Sequence, residues 1–212
     1  MKMMMQILIV AATQPEIQPL LDHFGDKKPF DVLITGVGMV ATAYAMGVQL
    51  GIKKYTLVIN LGIAGSFDRR IELGEVVEVI RDTLSELGAE NDTAFIPIEQ
   101  LGFGKSQFDT TNNLSDFWNG ASIKKVNAIT VNTVHGNEAS ITNITKRIYP
   151  QLESMEGAAF FYACQQMNVP AIQIRAVSNY VEKRNRDNWK IGLAIKNLNN
   201  FAIELISTLI QA

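Results

Sequence analysis

Leu57-Val58-Ile59-Asn60-Leu61-Gly62-Ile63-Ala64-Gly65-Ser66 is the stretch that decides the fold. Its first five residues are apolar at successive positions, Asn60 excepted. That is the pattern of a strand buried on both faces. The glycines that follow allow a tight turn and a close approach of backbone to ligand. Similar runs occur at 7–12, 31–35, 75–81, 128–133 and 171–177. Helical periodicity fills the gaps at 15–24 (with Thr13 placed as N-cap), 39–50, 138–148, 155–167 and 189–210. In the last of these, Ile191, Ile195, Leu198, Ala202, Leu205 and Leu209 recur at spacings of three and four. Strands alternating with helices predict an α/β fold with helices on both faces of the sheet. Residues 82–125 have weak periodicity and scattered aromatics (Phe95, Phe103, Phe108, Phe117, Trp118), which predicts irregular excursions near a site. No repeat or linker divides the chain, so 1–212 is expected to form one domain.

Composition narrows the function. The 212 residues are 47% hydrophobic and 19% charged, against about 25% charged in an average soluble domain. Such a chain can bury a large core and is not globally disordered. Nineteen basic against twenty-one acidic residues leave a net charge of −2, with no cationic excess for a nucleic-acid backbone. The single cysteine, Cys164, excludes an internal disulfide. With only His23 and His135, the common Cys/His zinc clusters are excluded too, so no metal is expected. Both facts fit a reducing cytoplasm. The opening MKMMMQILIVAA lacks the length and cleavage site of a signal peptide and reads as a first strand. Residues 32–52 carry no charge over the length of a membrane span, but four glycines, two threonines and Gln49 argue against membrane insertion.

Ligands of open α/β sheets bind beyond the carboxyl ends of the strands. Three such ends stand out: Thr35-Gly36-Val37-Gly38, Gly62-Ile63-Ala64-Gly65 and Arg175-Ala176-Val177-Ser178-Asn179. Gly36-Val37-Gly38-Met39-Val40-Ala41 satisfies the dinucleotide fingerprint literally. It follows the second strand, however, and no acid ends the next one, so a nicotinamide or flavin cofactor is disfavoured. Glu16 falls in a first helical turn, where an acid also serves the helix dipole alone. Glu156 opens an otherwise apolar helix, and a carboxylate beside a buried face needs a partner or a ligand. His135, next to Gly136, is either a helix-capping surface residue or a ligand contact. The Lys183, Arg184 and Arg186 cluster is either a solvated loop or an anion-binding lid.

Together, the first strand plus Glu16, Thr35-Gly36-Val37-Gly38, Gly62-Ile63-Ala64-Gly65, Ser154-Met155-Glu156-Gly157-Ala158 and Arg175-Ala176-Val177-Ser178-Asn179 resemble the nucleoside phosphorylase and nucleosidase superfamily, over nearly the whole chain. Residues 153–160 and 178–189 most resemble its futalosine-hydrolysing branch, of the alternative menaquinone pathway. The resemblance implies a three-layer α/β/α sandwich around a twisted mixed sheet, no cofactor, a small-molecule nucleoside substrate, and a homo-oligomer (dimer or larger). It implies that Glu16 deprotonates the attacking water and that Arg175 helps hold it. Glu156, backed by Met155, would bind the ribose hydroxyls. Gly62, Ala64, Gly65 and Ser178 would contact base and sugar, with 62–65 forming a turn, and Asn179 would face the purine. An amide offers a donor and an acceptor but no acid proton, which favours a 6-oxopurine over adenine as leaving group. Ile63 stands where several relatives carry a hydroxyl that touches the water. No arginine sits on the early glycine loops to hold phosphate, so water is the expected nucleophile. His135, Lys183, Arg184 and Arg186 are candidates for the acidic 5′ tail of futalosine, and the aromatics of 95–118 could line the same pocket. A methylthioadenosine-type nucleosidase, a purine phosphorylase and a non-catalytic nucleoside-binding module are the alternatives.

Overall fold

The computed structural model describes residues 5–120 and 122–211. The first four residues of the opening segment therefore lie outside it. Its strands are β1 (Ile7–Ala11), β2 (Asp31–Ile34), β3 (Leu57–Ser66), β4 (Val76–Leu84), β5 (Gly88–Asn91), β6 (Ala94–Pro97), β7 (Gln107–Asp109), β8 (Lys124–Thr130), β9 (Leu152–Ser154) and β10 (Ala171–Tyr180). The α-helices are α1 (Gln14–Phe24), α2 (Met39–Ile52), α3 (Glu138–Ile148), α4 (Gly157–Gln166) and α5 (Ile191–Gln211). The charge-free stretch 32–52 is thus split between β2 and α2, and no helix of the described residues is long and apolar enough to cross a membrane.

The central sheet is mixed. β3 is parallel to β1 and β10, whereas β10 pairs antiparallel with β4. β4 is parallel to β8, β8 to β9, and β9 returns antiparallel to the end of β3 at Gly65 and Ser66. Five strands therefore close on one another, with β1 and β2 extending from β3 as an open wing. This curling is more than an open sandwich predicts. It brings the ends of β3, β9 and β10 together.

Each face of the sheet carries its own core. Val58 packs with Met46 and Leu50 of α2 and Phe160 and Phe161 of α4. Leu57, Ile59 and Leu61 pack with Ile17 and Leu20 of α1 and Leu198, Ala202 and Leu205 of α5. Side chains alternate across a strand, so successive apolar residues fill both layers.

Two departures from the sequence reading matter for the site. Residues 62–65 are not a turn, because β3 continues through them to Ser66. The segment after Asp82 is more ordered than predicted: β4 runs on to Leu84, and β5 and β6 form a hairpin.

A buried amide sets the pitch of α1. Pro19 lies inside the helix, where its ring crowds the preceding turn and opens the ladder. The Leu20 N–H and the Glu16 carbonyl, which would pair in an unbroken helix, both bond Asn199 of α5. Leu20 N–H donates to Oδ1 at 3.0 Å, and Nδ2 donates to the Glu16 carbonyl at 2.9 Å. The backbone of Glu16 is thereby tied to the helix behind it.

Candidate active site

At the carboxyl ends of β1, β3, β9 and β10 lies a cavity of about 460 Å³. Glu16, Glu153, Met155 and Glu156 line it, as do Ala64, Gly65, Ser178 and Asn179. Val37, Ile63, Trp189, Ile191 and Ile195 give it apolar walls.

Glu16 is the third residue of α1. Its Oε2 accepts from the Thr13 N–H at 3.0 Å and the Thr13 hydroxyl at 2.8 Å, closing a capping box. Its Oε1 accepts from the Ile63 N–H at 3.2 Å. The helix-start role and the site role therefore belong to different oxygens. The Ile63 backbone, not a side-chain hydroxyl, meets the carboxylate.

Glu156 is the N-cap of α4 and only 8% exposed. Its Oε1 accepts from the Gly38 N–H at 2.9 Å and its Oε2 from the Met155 N–H at 3.2 Å. Gly38 sits at φ 99°, in the region that favours glycine. The fingerprint-like Gly36-Val37-Gly38 thus aims a helix-start N–H at a protein carboxylate, which explains the motif without a dinucleotide.

Arg175 does not line the cavity. It is 3% exposed and lies behind Gly62. A β-carbon on Gly62 would lie 2.3 Å from Arg175 Nη1 and 3.2 Å from Glu16 Oε1, so only glycine lets both groups meet there. Arg175 Nη2 donates to Gln173 Oε1 at 2.9 Å, and its Nε has no hydrogen-bond partner among the described residues. On the opposite side of Gln173, Nε2 donates to Asp82 Oδ2 at 3.0 Å, and the Thr130 hydroxyl donates to Asp82 Oδ1 at 2.8 Å. Burial is the main influence on Asp82 and pushes its carboxyl up to about 6, against these hydrogen bonds and the nearby Arg175 charge.

Asn179 follows a bulge in β10 between Val177 and Asn179. Bulges re-aim side chains beside sites. Its Oδ1 accepts from the Ser178 hydroxyl at 2.8 Å and its Nδ2 donates to the Tyr180 carbonyl at 3.1 Å. Each half of the amide keeps one hydrogen-bonding position.

His135 lines the cavity from the loop after β8, and its Nδ1 lies 2.6 Å from Glu153 Oε2. Burial raises the Glu153 carboxyl, with His135 opposing. Arg184 joins the wall because its N–H bonds the Gly136 carbonyl at 3.1 Å, and its guanidinium stacks on Trp189, 5.0 Å from the ring centroid. Lys183 and Arg186 do not line the cavity; both are exposed, and Arg186 lies over Trp189. The aromatics of 95–118 are elsewhere too. Phe108 and Trp118 are core, Phe95 stacks under Arg147, and Phe103 is exposed. Arg69 and Arg70 bond Glu182 and Asp68. Sequence alone gave Glu153 no role in the site and did not point to Asp82 or to the wall formed by Ile191 and Ile195. Glu153 lies inside the stretch 153–160 that carries the resemblance, whereas Asp82 falls just past the apolar run 75–81 and becomes a strand residue only because β4 continues to Leu84.

The chain belongs to the phosphorylase superfamily, whose family profile matches residues 23–211. A futalosine hydrolase of Streptomyces coelicolor is 31% identical over 176 residues, covering 80% of this chain and 75% of its own. The futalosine hydrolase of Helicobacter pylori has the same fold, with a TM-score of 0.80, 16% identity and coverage of 100% and 99% of the two chains. So does a 5′-methylthioadenosine/S-adenosylhomocysteine nucleosidase of Colwellia psychrerythraea in complex with adenine, with a TM-score of 0.81, 20% identity and coverage of 97% and 96%.

Proposed function

We propose that this chain hydrolyses the N-glycosidic bond of futalosine, releasing hypoxanthine and dehypoxanthine futalosine in menaquinone biosynthesis. The observation that carries this is the convergence of Glu16, Glu156 and Asn179 on one cavity. Among the described residues, Arg184 is the only lysine or arginine on its wall.

Cleavage builds positive charge on the ribose ring and negative charge on the purine. Glu156, held by two backbone N–H groups, accepts the ribose hydroxyls and leaves an electron-rich group beside the ring. Glu16 takes a proton from water as the water oxygen bonds the anomeric carbon and the bond to the purine nitrogen breaks. Arg175, one residue layer behind, fixes the electrostatics of that corner. The leaving purine takes its N7 proton from solvent water, since an amide has none to give; the free positions of Asn179 then accept from the protonated N7 and donate to a 6-oxo group, which selects hypoxanthine over adenine. Arg184 pairs with the substrate's carboxylate; Lys183 and Arg186 are dropped from this role because they lie off the cavity.

The decisive experiment mixes the protein with futalosine, inosine and methylthioadenosine and follows free base with and without phosphate. Hypoxanthine release from futalosine, independent of phosphate, is expected. Phosphate-dependent ribose 1-phosphate, or no release from futalosine, would refute the assignment.

We also propose that the chain is a single domain and works as a homo-oligomer. Val40, Tyr44, Val48 and Ile52 recur every four residues along α2 and are 49–77% exposed, and Val37 joins this face to the cavity rim. Such a stripe normally marks an association surface. Light scattering is expected to give a dimer or larger species, and Tyr44→Glu to shift it toward the monomer. A wild-type monomer would exclude it.

A further inference from the structure

Arg175 makes no direct ion pair among the described residues, although it is almost fully buried. A buried guanidinium needs compensation. The closed strand ring supplies it across two adjacent strands, β4 and β10. Asp82 of β4, itself fully buried, accepts from Gln173 Nε2 at 3.0 Å, and Gln173 Oε1 accepts from Arg175 Nη2 at 2.9 Å. The amide is oriented by a charge at each end, so both bonds are charge-assisted.

The same carboxylate has a second arm. Thr130 of β8 donates to Asp82 Oδ1 at 2.8 Å, and its hydroxyl oxygen accepts from the Ala158 N–H at 2.7 Å, in the first turn of α4. Gly157 sits against this junction. A β-carbon there would lie 2.0 Å from Asp82 Oδ2 and 2.1 Å from Gln173 Oε1. The residue before it is Glu156, the N-cap of α4. A negative group at a helix start is also favoured by the helix dipole.

We propose that Asp82 is a positioning residue that fixes both halves of the site at once: through Gln173 it holds Arg175 behind Gly62, and through Thr130 it holds the start of α4 and hence Glu156. Asp82 itself touches no substrate. The inference rests on the proposed nucleosidase reaction, in which Arg175 serves the water side and Glu156 the ribose side. The two arms are therefore separable in kinetics. Gln173→Met cuts only the Arg175 arm, whereas Thr130→Val cuts only the α4 arm.

Asp82→Asn keeps the shape but turns one oxygen into a donor. With that donor toward Gln173, Gln173 must flip and point its own N–H groups at a guanidinium; with it toward Thr130, the Thr130 hydroxyl must turn from donor to acceptor and the α4 arm is weakened instead. Adding Gln173→Glu restores the polarity: one glutamate oxygen accepts from the new amide and the other from Arg175.

The test is steady-state hydrolysis by the full chain, with thermal unfolding of each variant. Gln173→Met is expected to lower kcat about tenfold or more with KM within about twofold, and Thr130→Val to raise KM severalfold with a smaller effect on kcat. Asp82→Asn should do both, and Asp82→Asn with Gln173→Glu should regain most of the kcat. In an Arg175→Gln background, Gln173→Met should cost less than about twofold more, because the two residues act as one unit. A wild-type kcat in Gln173→Met, or a double variant no better than Asp82→Asn, overturns the proposal. If Asp82→Asn does not fold, Gln173→Met alone and in the Arg175→Gln background decides. The two levels fail differently: a wild-type kcat in Arg175→Gln removes the role of Arg175, whereas an impaired Arg175→Gln beside an intact Gln173→Met removes only the relay.

Discussion

Gly62, which the sequence reading placed against base and sugar, does not line the cavity; Gly62→Ala puts one methyl between Arg175 and the proposed base Glu16. Gly62 lies inside β3 and is not among the glycines with positive φ, so an alanine backbone is tolerated there. The cost comes from the contact alone. The new carbon would lie 2.3 Å from Arg175 Nη1, whereas ordinary contact begins at 3.4 Å. Arg175 must retreat by about 1 Å, because Gly62 is held by the β10 ladder opposite Arg175 itself. The Nη2 bond to Gln173 is already 2.9 Å long and is lost or strained by such a shift. Glu16 Oε1, 3.2 Å from the same carbon, is pressed only slightly. Overpacking of this kind costs about 1–3 kcal/mol of stability. A displacement of about 1 Å at a reacting centre costs about 100-fold in rate. The expected outcome is a folded protein with kcat for base release lowered about 100-fold and KM changed little. Urea unfolding checks the first half and a coupled hypoxanthine assay the second. A kcat within about threefold of wild type would show that the Gly62 corner does not serve the reaction.

Glu16→Gln removes the base and can keep the capping box, but its NH2 then faces the Ile63 N–H, so kcat is expected to fall by about 10²–10⁴ with a stability loss of about 1–3 kcal/mol, read by single-turnover base release and urea unfolding. A small loss would move the base elsewhere. Arg184→Ala is expected to raise KM for futalosine about tenfold and leave inosine unaffected, since only futalosine brings a carboxylate; equal effects on both would remove the pairing. Asp82 gives a pH signature in stability. Its folded carboxyl titrates at about 6 against an ordinary 3.8, so the folded state binds the proton more tightly. That contribution is fully present below the ordinary value and is lost as pH rises through about 6, a change of about 3 kcal/mol. The stability of wild type minus that of Asp82→Asn, from urea unfolding between about pH 4 and 7, should fall by this amount. A flat difference would mean that Asp82 titrates normally.

The apolar runs at 7–12, 57–61 and 171–177 were legible as doubly buried strands because such strands need no alternation, and β1, β3 and β10 occupy them. Glu16 and Asn179 were picked out by the family resemblance and Glu156 also by its place on an apolar helix, and all three line one cavity. Residues 62–65 were read as a turn because glycine marks turns locally; pairing with β10 on one side and β9 on the other keeps them extended. The family resemblance implied that Arg175 helps hold the water, yet the structure buries it behind Gly62 rather than on the cavity wall.

What the chain determined by itself is the layering and the kinds of group available. Those follow from local pattern and side-chain chemistry, which each residue carries wherever it sits. Which charges meet was decided only by the tertiary structure. Asp82, Thr130 and Gln173 are far apart in sequence and share no motif, and only the closure of β4, β8, β9, β10 and β3 makes them neighbours. Lys183 and Arg184 are adjacent in sequence and alike in charge, but only Arg184 is drawn to the cavity, by one backbone bond to Gly136. Hydrogen bonding and burial depend on distance in space, and sequence spacing across a crossover does not record it.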